Sequence, residues 1–195
     1  MSNMVILGSG NVGTAIGKGL RDAGHAVASV NTSTSVEDVV QAIRQADFVF
    51  LAVPLAAALS LQQAWVDALD GKTVVDMTNP LTPDFANLTV GFGDSAGEQV
   101  ARALPKAKVV KALNAVLAPN HDLTAFGKDQ MFVPVAGEEA SAGTVVDLLR
   151  SVGFDAQYVG DITCSRYIEP VAEVLIRLAY MQGQGTGIAL KLMRA

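Results

Sequence analysis

The chain has 195 residues, enough for one domain with a sizeable core, and half of them are hydrophobic while only 17% are charged, which excludes a disordered protein. A net charge of −5 without a basic stripe argues against nucleic acid as a partner. Residues 48–61 form the longest apolar stretch, but Pro54 interrupts it and it is too short to cross a bilayer. With a single cysteine and an N-terminus that leads directly into a predicted strand, this composition favours a cytoplasmic protein with no membrane association.

Apolar runs of strand character alternate with helical patterns, which is typical of a doubly wound parallel α/β sheet, the NAD(P)-binding Rossmann fold. Strands are predicted near residues 4–8, 26–31, 47–53, 72–78, 108–114, 130–136 and 154–159. Helices are predicted near residues 11–23, 35–46, 55–69, 94–104 and 138–152, with loops at 79–92 and 116–128. A long helix should begin at Ser165, and one or two final helical turns should end at Ala195. We expect residues 1–160 to form the Rossmann domain and residues 161–195 to form a small helical segment packed on it.

The most specific motif is the first predicted turn, in the stretch ILGSGNVGTAIGKGL. Gly8, Gly10 and Gly13 follow an apolar strand and open a helix, with the spacing G-x-G-x-x-G. The first glycine permits a tight turn, the second lets the backbone approach a pyrophosphate, and the third lets the helix touch the strand. Because amides at a helix N-terminus attract phosphate, the predicted dinucleotide site comprises Gly8, Ser9, Gly10, Asn11, Val12 and Gly13.

The segment that follows the second predicted strand is unusually short. A typical mononucleotide-binding half continues there with a helix, another strand and another helix. Between Val30 and Asp47 the chain has room for one helix only. A strand–helix unit is therefore missing, and we predict a shortened sheet edge with a more open adenine pocket.

The end of the second strand favours NADP over NAD. NAD-binding halves usually carry an acidic residue here that bonds the ribose 2′-hydroxyl, whereas this chain has Asn31, followed by Thr32 and Ser33. A carboxylate would repel a 2′-phosphate, while hydroxyl and amide donors can bind it. Ser35 and Asp38 also form a capping box that begins the next helix. The alternative is that the hydroxyl cluster only caps this helix.

Ligands of open α/β sheets bind beyond the carboxyl ends of the strands, which selects three further groups of residues. Val53 and Pro54 follow the third strand and would contact the adenosine side. Asn79 and Asn114 end the central strands, and Ala115 is the neighbour of Asn114. At these positions an amide can bond a carboxamide or a ribose hydroxyl. Capping or turn formation is the alternative role for these asparagines.

Acid–base groups are scarce at this edge. Lys111, within an apolar strand, is expected to extend to solvent, although it could also donate a proton to a carbonyl. His121 lies in a loop on the ligand side and is a second candidate acid or base. No metal-ligand spacing and no nucleophile–base pair is visible, so the catalytic residues stay unassigned. A site with few acids and bases suits hydride exchange between two cofactors, because the cofactors carry the chemistry.

Several stretches, in order along nearly the whole chain, resemble the deazaflavin (coenzyme F420)-dependent NADP oxidoreductases: ILGSGNVGTAIGKGL, AGHAV, ADFVFLAVP, GKTVVDMTNPL, SAGEQVARALPKAKVVKALNAV and SRYIEPVAEVLIRLAYMQGQGTGIALKLM. The resemblance implies a single Rossmann unit with a small C-terminal helical part, often dimeric, that passes hydride between NADP(H) and a deazaflavin. It would place the pyrophosphate at residues 8–13, the 2′-phosphate at residues 31–33, adenosine at residues 53 and 54, and the nicotinamide half at Asn79 and Asn114.

The leading hypothesis is therefore an NADP-dependent oxidoreductase, forming a homodimer, whose small-molecule redox substrate is a deazaflavin, a flavin-like compound or another small acceptor. A second hypothesis is a dinucleotide-binding sensor without turnover, whose interface would use the C-terminal helix at Val171, Val174, Leu175 and Leu178. A third is a small imine or keto-acid reductase in which His121 or Lys111 supplies the proton.

Overall fold

The computed structural model describes residues 1–123, 126 and 130–195, and its strands form one seven-stranded sheet in the order β2-β1-β3-β4-β5-β6-β7. The strands are β1 Asn3–Leu7, β2 Ala26–Val30, β3 Phe48–Leu51, β4 Thr73–Asp76, β5 Lys108–Lys111, β6 Phe132–Gly137 and β7 Asp155–Gly160. The seven predicted strands are all present, and the α/β class is confirmed.

The prediction of an all-parallel sheet is wrong at one pair. Strands β2, β1, β3, β4 and β5 run parallel to one another, but β6 lies antiparallel to β5, and β7 is again parallel to β6. A parallel neighbour needs a crossover that returns the chain to the other end of the sheet. Between β5 and β6 the described residues contain only a short 3₁₀ turn, Ala118–Asp122, so β6 begins at the end where β5 stopped.

The shortened sheet edge is confirmed. Strand β2 is the outermost strand, and no further strand follows it at that edge in the described part of the sheet. Three of its five residues are exposed. The missing strand–helix unit thus leaves β2 as an exposed edge strand.

The described residues contain seven α-helices: α1 Asn11–Asp22, α2 Val36–Gln45, α3 Leu55–Ala58, α4 Gln63–Ala68, α5 Ala96–Ala103, α6 Glu139–Val152 and α7 Ser165–Ile176. One helix was predicted over residues 55–69, but the chain forms two, α3 and α4, separated at residues 59–62. Ser60 contributes to this break because its hydroxyl donates to the carbonyl of Ala56, 2.8 Å away, and competes with the helical pattern.

The predicted final helical turns before Ala195 are also wrong. Helix α7 continues as a π-helical turn, Arg177–Met181, and residues 182–195 contain no helix. Gly183 and Gly185 take positive φ angles, which end the helix. The tail is instead held by hydrogen bonds from the amide of Phe132 to the carbonyl of Leu190 and from the Asn120 side chain to two tail carbonyls.

Alternate residues of β1 pack on opposite faces of the sheet, which gives the molecule two cores. Met4 and Ile6 face one side, in the core that α1 and α6 cover, while Val5 and Leu7 join the core under α2 and α4. The inner strand β1 is therefore buried on both faces, as a doubly wound sheet requires. Of the helices in the described ranges, none is long and apolar enough to cross a membrane.

Predicted loop residues are found in loops. Residues 79–92 hold only an isolated bridge between Leu81 and Leu88. The predicted loop at 116–128 includes the 3₁₀ turn, and residues 124, 125 and 127–128 lie outside the described residues.

Candidate active site

The glycine turn between β1 and α1 has the geometry that its spacing predicts. A Cβ on Gly8, whose φ is +121°, would lie 2.3 Å from the carbonyl oxygen of Ala52, and a Cβ on Gly13 would lie 2.2 Å from the carbonyl oxygen of Gly8. Both glycines are therefore required by close backbone packing. A Cβ on Gly10 would meet nothing within 4 Å, so this glycine is required by no contact in the described structure.

The start of α1 offers unused hydrogen-bond donors. Gly10 is the residue that precedes the helix, and no side chain caps the first turn of this fully described helix. The amides of Asn11, Val12 and Gly13 therefore lack an intrahelical partner, and the helix dipole places partial positive charge at the same end. An anion at this position would satisfy both features.

A cleft of about 460 Å³ opens beside the turn. Seven of the predicted site residues line it: Gly8, Ser9, Gly10, Asn31, Thr32, Val53 and Pro54. A further wall of the cleft comes from α3, α4 and the break between them, with Ala57 from α3, Ser60, Leu61 and Gln62 from the break, and Trp65 from α4. This wall could not be predicted, because the sequence indicates one unbroken helix over residues 55–69. Trp65 is 8% exposed and its indole N–H has no acceptor in the described structure.

At the end of β2, Asn31 connects the glycine turn to the hydroxyl cluster. Its Nδ2 donates to the Ser9 hydroxyl at 3.1 Å, and its Oδ1 accepts from the amide and the hydroxyl of Ser33 at 2.9 and 2.6 Å. Thr32 and Ser33 are exposed. Ser35 caps α2 as predicted, since its hydroxyl accepts from the Asp38 amide. The Asp38 carboxylate reaches back to the Ser35 hydroxyl and not to the Ser35 amide, so the capping box forms only in part.

Asn79 and Asn114 lie together, beyond β4 and β5. The Nδ2 of Asn79 donates to the backbone carbonyl of Asn114, and the Nδ2 of Asn114 donates to Oδ1 of Asn79, both at 2.9 Å. Asn114 is 6% exposed, and its own Oδ1 has no donor in the described part of the chain, nor does the buried hydroxyl of Thr78 have a partner there. Buried polar atoms without partners are rare, so these two atoms are unusual features of the ends of β4 and β5.

Lys111 was predicted to extend to solvent, but it does not. Its side chain is fully buried at the end of β5, with Nζ 3.0 Å from Asp76 Oδ2, 3.0 Å from Glu169 Oε1 and 2.5 Å from the carbonyl oxygen of Thr78. The prediction failed because the carboxylates that pair with Lys111 come from residues 35 positions earlier and 58 positions later in the chain. No spacing motif reveals such a contact.

His121 is also buried and internally bonded. It is 1% exposed, and its ring nitrogens lie 3.2 Å from the carbonyl oxygens of Ala118 and Leu113. Burial lowers the pKa of His121 below its usual value of 6.5. Neither His121 nor Lys111 lines the cleft, so neither is placed to donate a proton to a ligand there.

The predicted site residues therefore fall into two groups along the carboxyl edge of the sheet. The seven residues of the cleft, together with the first turn of α1 and Ser33, surround the ends of β1, β2 and β3. Asn79, Asn114 and the buried Ala115 mark the ends of β4 and β5. Throughout the described ranges, no cluster of three His, Cys, Asp or Glu residues could hold a metal ion.

Comparisons with known proteins indicate the family of this chain. Residues 3–80 match the family model of the coenzyme F420-dependent NADP oxidoreductases. A solved structure of a proposed F420-dependent NADP reductase from Arthrobacter sp. FB24 is 30% identical, covers 100% of both chains and has a TM-score of 0.84. No curated protein sequence matches significantly.

More distant structures share the fold. Plasmodium falciparum pyrroline carboxylate reductase, solved with NADP bound, is 15% identical, with 95% of this chain and 71% of that chain covered and a TM-score of 0.58. An imine reductase from Myxococcus stipitatus in complex with NADP⁺ is 17% identical, with 93% and 63% covered and a TM-score of 0.63. At these identities the likeness shows the fold alone.

The fold and the glycine turn define a Rossmann-type, dinucleotide-binding protein. The chain belongs to the coenzyme F420-dependent NADP oxidoreductase family. It is thus an NADP-dependent oxidoreductase, and the hypothesis of a sensor without turnover is set aside.

Proposed function

We propose that the chain binds NADP(H) along the carboxyl edge of β2, β1, β3, β4 and β5, with the pyrophosphate at the turn of Gly8, Gly10 and Gly13. The observation that carries this proposal is the contrast among the glycines. Two are enforced by backbone contacts of 2.2–2.3 Å, whereas Gly10 has open space where its Cβ would be. Because Gly10 lies between these two glycines and at the uncapped start of α1, its open space suits a ligand that approaches the backbone closely.

The 2′-phosphate would lie at residues 31–33. The exposed hydroxyls of Thr32 and Ser33 supply donors, and Asn31 holds this segment beside Ser9. The missing strand at the edge beyond β2 leaves room for the added phosphate. The nicotinamide half would reach Asn79 and Asn114, where the partnerless Oδ1 of Asn114 suits an amide donor such as the carboxamide.

The acceptor that we favour is flavin-like, a deazaflavin or a flavin, rather than a carbonyl or an imine. NADPH supplies the hydride, and such an acceptor needs orientation and a dry surface more than a proton donor. The two donors considered for an imine or keto-acid reductase, His121 and Lys111, are both committed to internal hydrogen bonds.

A path for a planar acceptor starts at the first turns of α1. A cavity there includes Asn11, Thr14 and Tyr180, and Tyr180 also lines a second cavity of about 490 Å³ with Phe85 and Met181. Phe85 is 61% exposed and has a φ of +59°, a strained angle for a bulky residue. The guanidinium of Arg177 donates to the carbonyl of Ala86 and so holds the loop that carries Phe85. Two aromatic side chains that line one cavity suit the face of a flavin-like ring.

Rapid mixing of NADPH-loaded protein with oxidised flavin, deazaflavin or a cyclic imine tests this proposal, with absorbance at 340 nm as the readout. We expect fast NADPH oxidation by the flavin-like compounds and none by the imine. Tyr180→Ala should raise the KM of the acceptor and leave the KM of NADPH unchanged. Oxidation by the imine alone, or by no acceptor, would contradict the proposal.

We further propose that residues 161–195, which are helical only as far as Met181, act as an appendage of the domain and that the protein is a homodimer. Tyr167 and Val174, one heptad apart on α7, are 74% and 54% exposed and would contribute to an interface. Leu175, which was included in the predicted interface, is instead 4% exposed and packs within the chain. Sedimentation of the protein and of Val174→Glu tests this assembly: a dimer that the variant dissociates supports it, and a wild-type monomer contradicts it.

A further inference from the structure

Lys111 forms the centre of a buried charged cluster that the proposed hydride transfer does not use. Its three ammonium protons have three acceptors, one each on Asp76, Glu169 and the backbone of Thr78. Asp76 and Lys111 are 0% exposed and Glu169 is 1% exposed. We call these three side chains the lysine hub.

The hub fixes both ends of the loop that joins β4 to α5. At the first end, Asp76 and the Thr78 carbonyl directly precede Asn79. At the other end, the two carboxylate oxygens of Glu169 accept hydrogen bonds from the amides of Ala96 and Gly97, both at 3.0 Å, where α5 begins. One ammonium group thus connects the exit from β4, the entry to α5 and the helix α7 that carries Glu169.

The position of Asn114 depends on this arrangement. Asn79 follows the hub-bound carbonyl of Thr78 by one residue and holds Asn114 by two hydrogen bonds of 2.9 Å. Displacement of the Thr78 carbonyl would therefore shift Asn79 and, with it, the partnerless Oδ1 of Asn114. The hub contacts neither the glycine turn nor Asn31, which are held by bonds of their own.

Stability alone is a weak reason for such a cluster. A buried ion pair is often no more stable than apolar residues of the same volume, because desolvation offsets the attraction. The contact of one ammonium group with two carboxylates and a carbonyl fixes the relative positions of the segments that carry them. We propose that Lys111 is a positioning residue that orients Asn79 and Asn114 toward the nicotinamide half of NADP. This inference rests on the proposed function, because it assumes that the nicotinamide lies at these asparagines.

The test compares two ligands by calorimetry. One is NADP⁺, and the other is 2′-phospho-ADP-ribose, which has the same pyrophosphate and 2′-phosphate but no nicotinamide. For Lys111→Met we expect the Kd of NADP⁺ to rise by about tenfold and kcat to fall by up to about 100-fold, since a misplacement of about 1 Å can cost that much in rate. The Kd of 2′-phospho-ADP-ribose should change by less than about twofold.

Lys72→Met is the matched control. The Lys72 ammonium also binds two backbone carbonyls, those of Arg44 and Ala46 at 2.7 and 2.9 Å, but it precedes β4 at the amino edge of the sheet. Its substitution should leave both dissociation constants unchanged. If Lys111→Met does not fold, Glu169→Gln, which keeps the Lys111–Asp76 pair, should give the same split between the ligands.

The results separate this inference from the proposed function. A wild-type protein that binds neither ligand contradicts both. A wild-type protein that binds both, with variants that lose the two ligands equally or lose neither, contradicts the positioning role alone. Selective loss of NADP⁺ supports it, because a merely structural defect would weaken both ligands.

Discussion

Asn31 is the residue at which the chain departs most clearly from an NAD-binding pattern. The side chain stands where a carboxylate would bond the ribose 2′-hydroxyl, and it is held in place on both sides, by Ser9 and by Ser33. An aspartate has the same shape and can still accept from the Ser33 amide, while the bond to Ser9 would reverse, with the Ser9 hydroxyl donating to the new carboxylate. Asn31→Asp therefore changes the charge at this position and little else.

We predict that Asn31→Asp raises the Kd of NADP⁺ by about tenfold or more, a cost of at least ~1.4 kcal/mol, because the new carboxylate repels the 2′-phosphate. The Kd of NAD⁺ should fall or stay the same. Fluorescence titration with both dinucleotides measures the ratio. As a control, Asn3→Asp adds the same charge at the opposite edge of the sheet and should leave the ratio of the two dissociation constants unchanged. If Asn31→Asp also leaves this ratio unchanged, the 2′-phosphate binds elsewhere.

His121 gives a second prediction, of pH-dependent stability. Burial lowers its pKa below 6.5, so the folded protein favours the neutral ring while the unfolded chain binds the proton readily. The contribution of His121 is therefore fully present above pH 6.5 and is lost as the pH falls from 6.5 toward the lowered folded-state pKa. Urea unfolding between pH 7.5 and 5.5 should show the free energy of unfolding decreasing, with a limiting slope of about 1.4 kcal/mol per pH unit.

His121→Gln keeps a hydrogen-bonding side chain that does not titrate. The variant is expected to be less stable at pH 7.5 but to show a flatter dependence in the same pH range. If the wild type and the variant have parallel pH profiles, the imidazole is not the group responsible.

At the scale of elements, the contact between α5 and α7 holds the C-terminal helix on the Rossmann unit. Arg166 of α7 donates to both carboxylate oxygens of Glu98 in α5, at distances of 2.8 and 2.6 Å. The Arg166 guanidinium, together with a hydrogen bond from Ser95, holds the pKa of Glu98 below its usual 4.5. The pair is partly exposed, at 31% for Arg166 and 10% for Glu98, so solvent reduces its contribution.

We predict that Glu98→Gln lowers the free energy of unfolding by about 1–2 kcal/mol at pH 7, the range of a charged hydrogen bond discounted for exposure. Because the folded-state pKa of Glu98 is lowered, the loss is full above pH 4.5 and shrinks as the pH falls below it. Asp94→Asn removes the exposed partner of Arg102 and should cost less than about 1 kcal/mol. Equal losses from the two variants would contradict the account.

The elements also show what local sequence patterns can and cannot predict. The seven strands and most of the helices follow from the alternation of apolar runs and from caps such as Ser35, all of which are local signals. The antiparallel β6 and the break between α3 and α4 were missed because they depend on how the chain returns to the sheet and on one serine that bonds its own helix. The lysine hub was missed for a related reason, since its carboxylates are contributed by distant parts of the chain.

For the site, the same division holds. The glycine turn and the asparagines at the strand ends could be predicted because parallel strands bring their carboxyl ends to one edge. The wall formed by Ser60, Gln62 and Trp65 could not, because no motif precedes it. The pairing of Asn79 with Asn114 was also beyond reach, since a side chain's partner depends on the register of neighbouring strands.

At the scale of the whole molecule, all of the residues proposed to bind NADP lie along the carboxyl edge of the sheet. The sheet order places β2 at one side and β4 and β5 at the other, with the glycine turn between them. A dinucleotide laid across this edge would pass from the hydroxyls after β2 to the asparagines after β5. The missing strand–helix unit leaves β2 at the edge of the sheet, on the side where the adenosine would lie. The C-terminal segment contributes Tyr180 beside the start of α1.

The central claim is that the glycine turn binds the pyrophosphate of NADP, and calorimetric titration of NADP⁺ into wild type, Gly10→Ala and Gly143→Ala tests it most directly. Both glycines have open space where an alanine methyl group would lie, so both variants should fold, and Gly143→Ala should gain up to about 1 kcal/mol of stability within α6. We predict saturable binding to wild type and Gly143→Ala, and a Kd at least about tenfold higher for Gly10→Ala. Equal binding by all three proteins, or no binding by the wild type, would contradict the account.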